Sequence, residues 1–93
     1  MKIRWLAIAF SDIERLYQHI AKDNPNAAGR EVARVIEAVE NLSKMSALGR
    51  PGRVPDTREL VISQYFIAYR GREGWVEILR VLHHAQRWPE KKG

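Results

Sequence analysis

The alternation of apolar and polar residues at the start of the chain predicts one strand followed by a helix. Residues 2–9 are largely apolar, with Lys2 and Arg4 alternating early, which is typical of a β-strand. The sequence SDIE at 11–14 has the spacing of a capping box, so it predicts a helix that ends near Asp23. Within this predicted helix, four apolar residues recur at helical spacing: Ile13, Leu16, Tyr17 and Ile20.

A second helix is predicted to begin at Asn24-Pro25, because asparagine caps helices and proline suits the first helical position. Its apolar stripe consists of Val32, Val35, Ile36, Val39 and Leu42. Gly49 is the predicted C-terminal cap, and a helix cannot continue through Pro51. The short connection between the two helices predicts an antiparallel hairpin.

The second half of the chain has the pattern of a β-sheet. Three runs rich in β-branched and aromatic residues cover 58–63, 65–70 and 75–83, and a glycine-containing turn at 71–74 joins the last two. The predicted element order is β-α-α-β-β-β. This order favours an α+β fold in which a small antiparallel sheet packs on an N-terminal helical hairpin and leaves its other face open.

Length and composition predict one compact domain over 1–93, with a disordered tail at 90–93. Ninety-three residues with 45% apolar content can form a single hydrophobic core. The chain contains no cysteine, which excludes disulfides and thiolate chemistry and is compatible with a cytoplasmic location. The first residues resemble neither a signal peptide nor a membrane span.

Positive charge is concentrated in the second half. The chain carries a net charge of +5. Residues 49–93 contain nine Lys or Arg against five Asp or Glu, whereas residues 1–48 contain seven against six. This distribution predicts an anionic partner, either a nucleic acid or an acidic protein segment, although solubility alone would also account for it. The candidate target-binding or anion-binding residues are Arg50, Arg53, Arg58, Arg80, Arg87 and Trp88.

The histidines of the last strand are candidates for acid–base chemistry rather than for metal binding. Adjacent strand residues point to opposite faces, so His83 and His84 cannot chelate one ion, and no metal or cofactor is expected. Metal-free RNA cleavage needs a base, an acid and cations, roles that Arg80, His83, His84 and Arg87 could fill. Strand alternation places Arg80 with His84 on one face, and His83 on the other as a structural residue.

Trp88 admits two interpretations. An exposed indole can stack on a base. An aromatic residue that precedes a proline near a chain end more often anchors the terminus on the core, and this interpretation is favoured here.

Several segments resemble the RelE/ParE superfamily of bacterial toxins. The resemblance rests on the β-α-α-β-β-β order, on ALGRPGR at 47–53, on TRELVISQYFIAYR at 57–70 and above all on VEILRVLHHAQRWP at 76–89. It covers nearly the whole chain, and the ending His-x-x-Arg-aromatic-Pro is quite specific. The resemblance implies the toxin half of a type II toxin–antitoxin module, neutralised by an acidic, DNA-binding antitoxin that folds on binding.

Within the superfamily the chain is more similar to ParE-like members, which poison DNA gyrase. RelE-like members cut messenger RNA on the ribosome and carry a basic residue where Phe66 stands here. No tyrosine follows Arg87, and lysines are missing from the second half until Lys91. A RelE-like mRNA endonuclease and an inactive relative remain the alternatives.

Overall fold

The computed structural model describes residues 1–89, so the tail predicted at 90–93 lies outside the described residues. The elements are β1 (Lys2–Trp5), α1 (Ala7–Ala21), α2 (Pro25–Leu42), β2 (Arg50–Pro51), β3 (Arg58–Ile62), β4 (Tyr65–Arg72) and β5 (Trp75–His83). The α+β fold is confirmed, with β2 as an additional two-residue strand. No helix within residues 1–89 is long and apolar enough to cross a membrane.

Helix α1 begins four residues before the predicted capping box. Strand β1 stops at Trp5, where the backbone N–H of Leu6 donates to the Ile78 carbonyl at 3.1 Å, and the chain then turns directly into the helix. Ser11 lies inside α1, and its hydroxyl is 3.4 Å from the Ala7 carbonyl. The capping-box prediction was therefore wrong, because this serine bonds back along the helix instead of capping it.

Helix α2 begins as predicted but ends early. The Asn24 side chain accepts a hydrogen bond from the Ala27 N–H at 3.1 Å, with Pro25 in the first turn. The helix stops at Leu42, so Gly49 is not its cap. Instead, the Tyr69 hydroxyl donates to the Ser46 carbonyl at 2.7 Å and accepts from the Gly49 N–H at 2.8 Å. These bonds hold the segment after α2 outside the helix.

The sheet has five strands in the order β1-β5-β4-β3-β2, and it is mixed. Strand β1 runs parallel to β5, so the prediction of an antiparallel sheet was wrong for this edge. The other neighbouring strands are antiparallel. The β4–β5 turn at Glu73-Gly74 has positive φ at both residues, which a type I′ hairpin requires. No tight turn joins β1 to β5, because both helices and three strands lie between them in the sequence. Local residues therefore do not determine whether these two strands pair in parallel.

The two faces of the sheet have different neighbours. The main core joins both helices to one face, and Val35, Leu42, Tyr69 and Ile78 are among its fully buried members. The opposite face has a smaller apolar cluster of Phe66, Ala68 and Leu82, with Leu79 and Trp88 packed against it. Because neither helix contributes to this cluster, we call this side the helix-free face.

Candidate functional site

The helix-free face brings three of the predicted site residues together around Phe66. The Arg53 guanidinium carbon lies 4.9 Å from the centre of the Phe66 ring, and the His84 ring centre lies 6.0 Å from it. Trp88 packs against the same apolar cluster, as expected of an anchor for the chain end. A cation, an imidazole and an indole therefore share this surface.

Glu59 holds the arginines of this surface in a charge network. Its carboxylate accepts hydrogen bonds from Nε, Nη2 and the backbone N–H of Arg53, each at 2.9 Å, and Arg50 Nη2 lies 3.8 Å away. Burial raises the pKa of Glu59, but the hydrogen bonds from Arg53 and the charges of Arg53 and Arg50 outweigh it, so the pKa lies below its ordinary value. The Glu59 carboxylate therefore stays ionised, and the side chains of Glu59, Arg53 and Arg50 together carry one net positive charge.

Arg80 is bonded to helix α1 through its guanidinium. Its Nε and Nη2 donate to the two carboxylate oxygens of Asp12 on α1, at 2.8 and 2.9 Å. The Val81 N–H also donates to Asp12, at 2.9 Å. Only 12% of the Arg80 side chain is exposed. Its principal role in this structure is to join α1 to the edge of β5.

The position of Arg80 on β5 agrees with strand alternation, because Arg80 pairs with Ala68 and Leu82 pairs with Phe66, and both partners belong to the apolar cluster of the helix-free face. Only its guanidinium departs from this face, to reach Asp12. Tyr69 pairs with Ile78 and Ala68 pairs with Arg80, so Leu79 is an extra residue on β5. Beyond Ile78, β5 also has no β1 partner on its outer side. The long Arg80 side chain can therefore pass around this edge to α1.

The remaining predicted arginines lie in different environments. Arg58 is half-buried, and its Nη1 donates to the Gly49 carbonyl at 2.7 Å, which fixes the segment before β2. Arg87 is exposed in the turn that follows β5. Arg58 is thus occupied within the fold, whereas Arg87 is available to a partner.

His83 lies on the opposite side from His84, as alternation predicted. It lines a 410 Å³ groove beside α1, together with His19 and Tyr65. Its Nδ1 accepts the Ala85 N–H at 3.0 Å, and its ring meets the Tyr65 ring edge-on at 5.5 Å. Burial and the charge of Glu31 raise the pKa of Tyr65. No local pattern in the sequence predicts this groove, because its residues come from distant segments.

A second basic cluster on the helix-free face was also missed by the sequence reasoning. Strand pairing places Lys2, Trp75 and Arg72 in one row, and Arg4, Glu77 and Arg70 in the next. We call these six residues the Trp75 patch. Val76 and Ile78 of β5 face the helices, so the alternating Trp75 and Glu77 face away from them.

Ionic and cation–π contacts hold the Trp75 patch together. Arg70 Nε is 2.7 Å from Glu77 Oε1, and Arg4 Nη1 is 3.6 Å from Glu77 Oε2. The Arg4 guanidinium carbon and Lys2 Nζ lie 4.3 and 5.3 Å from the centre of the Trp75 ring. The hydrogen bond from Arg70, with the positive charges of Arg70, Arg72 and Arg4, lowers the pKa of Glu77.

Comparison with known proteins identifies the family. Residues 3–88 match the family described as the ParE toxin of the type II toxin–antitoxin system parDE. The chain belongs to the ParE toxin family. Because the match spans nearly all the described residues, the resemblance to RelE/ParE toxins is confirmed for the whole domain.

Two curated toxins are similar to this ParE-family chain over nearly its full length. It is 45% identical over 91 residues to the putative toxin Y4kP of Sinorhizobium fredii, covering 96% of this chain and 94% of that protein. It is 27% identical over 85 residues to the toxin RelE2 of Caulobacter vibrioides, covering 91% of this chain and 97% of that protein. The chain is thus a type II toxin by family.

Two solved toxin structures have the same fold. The chromosomal ParDE system of Pseudomonas aeruginosa gives a TM-score of 0.82 at 26% identity, covering 89% of this chain and 95% of that one. The toxin–antitoxin complex RelBE2 of Mycobacterium tuberculosis gives 0.66 at 26% identity, covering 89% and 96%. Both likenesses support the helical hairpin on a sheet as the family architecture.

Proposed function

We propose that this ParE-family toxin inhibits growth by binding DNA gyrase and that a cognate antitoxin neutralises it. The family match and the TM-score of 0.82 to a ParDE structure, against 0.66 to a RelBE complex, support the ParE side of the superfamily. Both of those solved relatives are toxin–antitoxin systems, which supports an antitoxin as partner.

The observation that supports binding over RNA cleavage is the engagement of Arg80, one of the two candidate catalytic arginines, and of Arg53, the arginine beside His84. Phosphoryl chemistry without a metal requires cations aimed at the crowded phosphate, beside an acid and a base. Arg80 is bonded to Asp12, and Arg53 is bonded to Glu59. Next to His84, β4 presents the ring of Phe66, and the guanidinium on that ring belongs to Arg53, which Glu59 already binds. This arrangement suits recognition better than catalysis.

The proposed gyrase-binding surface is the helix-free face around Phe66. Arg50 is 63% exposed at its side chain and lies at the rim of the Glu59 network. Exposed His84 and Arg87, with half-buried Trp88, continue the surface. A partner that meets this face would contact an apolar centre with basic groups around it, a composition common in protein interfaces.

The antitoxin is proposed to act through charge and apolar contacts together. The helical hairpin exposes Phe10, Tyr17 and Ile36 at 54%, 43% and 37%. These side chains suit an amphipathic segment that folds on binding, while acidic residues of that segment would be attracted by the toxin's net charge of +5. Charge then accelerates the encounter, and apolar burial slows dissociation.

A supercoiling assay tests the proposed target. Purified toxin should inhibit DNA supercoiling by gyrase, and added antitoxin should restore it. Arg50→Glu should weaken this inhibition by roughly tenfold, because a charge reversal at an interface rim costs about 1–2 kcal/mol. Arg30→Glu, on the exposed side of α2, is the matched control. Normal supercoiling at saturating wild-type toxin would refute the proposal.

An mRNA endonuclease is the second candidate, because His84 and Arg53 lie on the same aromatic ring. The likeness to the toxin RelE2 adds weight to it. Under this hypothesis His84→Ala abolishes ribosome-dependent cleavage, whereas His83→Ala on the other face retains it. Growth inhibition without cleaved messages would exclude this candidate, and normal growth after induction would indicate an inactive relative.

A further inference from the structure

The Trp75 patch concentrates positive charge on the helix-free face. Its six residues contain four cations, Lys2, Arg4, Arg70 and Arg72, against the single carboxylate of Glu77. The Glu59 network contains two guanidinium groups against one carboxylate. The formal excess is therefore three charges at the patch and one at the network. An anion that approaches the helix-free face would be attracted to the patch.

Two of the four cations of the patch are anchored by its carboxylate. Glu77, which is only 6% exposed, accepts a hydrogen bond from Arg70 and forms an ion pair with Arg4. In the neighbouring row, Lys2 and Arg72 lie on either side of Trp75. Their Cα atoms are about 10 Å apart, because two strand spacings separate them. Both of these flanking residues are exposed. An arrangement of this kind suits a partner with several negative charges at regular intervals.

The aromatic ring of the patch is covered by cations. Lys2 and Arg4 both lie over the Trp75 ring, so that ring is not open for a nucleobase to stack on it. Proteins that bind single strands use such open rings as stacking platforms. A duplex instead presents phosphates on its surface and keeps its bases inside, and arginine is well suited to phosphate.

We propose that the Trp75 patch binds the phosphate backbone of duplex DNA. The choice of DNA over RNA rests on the proposed action at gyrase, an enzyme that holds a DNA duplex. The toxin would then contact its protein target through the Phe66 surface and the DNA of the same complex through the patch. Contact with phosphates alone makes this binding independent of base sequence and sensitive to salt.

Equilibrium binding of the purified toxin to a fluorescent 30-base-pair DNA duplex tests the proposal. We compare wild type with Lys2→Gln/Arg72→Gln, which removes two exposed charges but leaves Arg4, Arg70 and Glu77 in place. Each lost phosphate contact should reduce the slope of log affinity against log salt by about 0.9. The double variant should therefore bind roughly 60-fold more weakly at 0.1 M salt, with a slope lower by about 1.8.

The matched control is Arg30→Gln/Arg34→Gln, which removes the same charge from exposed positions of α2. It should retain most of the affinity and nearly the full salt slope. Circular dichroism of both variants checks that the fold is intact. Equal losses in the two double variants would mean that net charge, and not the patch, determines binding, and this result would overturn the proposal.

Three other results would also overturn the proposal. The first is a wild-type toxin that fails to bind the duplex at low salt. The second is tighter binding to an RNA duplex of the same sequence, which would reject DNA as the ligand. The third is a Lys2→Gln/Arg72→Gln variant that keeps its DNA affinity but loses affinity for the antitoxin. The supercoiling assay measures inhibition of gyrase separately. A toxin that does not inhibit gyrase would refute the proposed target, while the duplex-binding assay would still test the patch.

Discussion

Asp12 is the residue whose replacement should most clearly test the structural reasoning. Its side chain is 3% exposed, and its two oxygens accept three hydrogen bonds from β5. Two of these bonds come from Arg80, and the third comes from the Val81 backbone. Asp12→Ala removes all of them at once. It therefore tests whether the pair of Asp12 and Arg80 holds α1 to β5, as the structure indicates.

The expected loss of stability is large. Removing one partner of a buried ion pair costs about 3–5 kcal/mol, and a buried backbone N–H without an acceptor costs about 1–3 kcal/mol. These costs overlap because one carboxylate serves both donors, so we expect a total of about 3–5 kcal/mol. Domains of this size have total stabilities of about 5–15 kcal/mol. The melting temperature should then fall by at least about 12 °C.

Urea unfolding followed by circular dichroism measures this loss. Glu14→Ala, an exposed change on the same helix, is the control and should shift stability by less than about 0.5 kcal/mol. A double-mutant cycle of Asp12→Asn with Arg80→Gln should give a coupling energy of at least about 1 kcal/mol. If Asp12→Ala costs less than about 1 kcal/mol, the bond to Arg80 is not a structural one. Arg80 then becomes available again as a functional residue.

Three further changes test other contacts. Gly49→Ala should lower the free energy of unfolding by about 2 kcal/mol, because the new Cβ would lie 2.7 Å from Tyr69 Oη. The control Gly29→Ala, whose Cβ would have nothing within 4 Å, should raise it by about 0.5–1 kcal/mol. A higher melting temperature for Gly49→Ala than for Gly29→Ala would contradict this packing. The lowered pKa of Glu59 means that its stabilisation is complete above its ordinary value of 4.5 and is lost as pH falls through the folded-state pKa. Glu59→Gln should therefore flatten the decline in stability below pH 4.5, and an unchanged acid profile would refute this. Trp88→Ala should cost about 1–3 kcal/mol in urea unfolding, since the half-buried ring packs on the apolar cluster; a loss near zero would argue for a purely target-binding role.

The sequence predicted those elements whose signals are local. Asn24-Pro25 began α2 because cap and first-turn residues act within one turn. Glu73-Gly74 formed the hairpin because only certain residues adopt positive φ at both central positions. Alternation also separated His83, whose ring contacts Tyr65, from His84, whose ring contacts Phe66. Each of these outcomes depends on neighbouring residues alone.

Errors arose where distant contacts override a local pattern. Ser11 and its neighbours match a capping box, but the end of pairing with β5 sets the start of α1 at Ala7. Gly49 resembles a helix cap, but the Tyr69 hydroxyl takes up the polar groups of that segment. Alternation gives the position of Arg80 on β5, but not the bonds of its guanidinium to Asp12, 68 residues away in the sequence. No local rule contains the position of Tyr69 or of Asp12.

The parallel pairing of β1 with β5 changes how the charge of this protein should be counted. In the sequence, the first 48 residues have an excess of only one positive charge. This count therefore does not predict that Lys2 and Arg4 belong to a basic cluster. The fold places them beside Trp75 and Glu77, next to the arginines of β4. The Trp75 patch thus combines cations from residues 2–4 and residues 70–72. Because Coulombic attraction depends on distance in space, the parallel edge strand is what creates an anion-binding surface here.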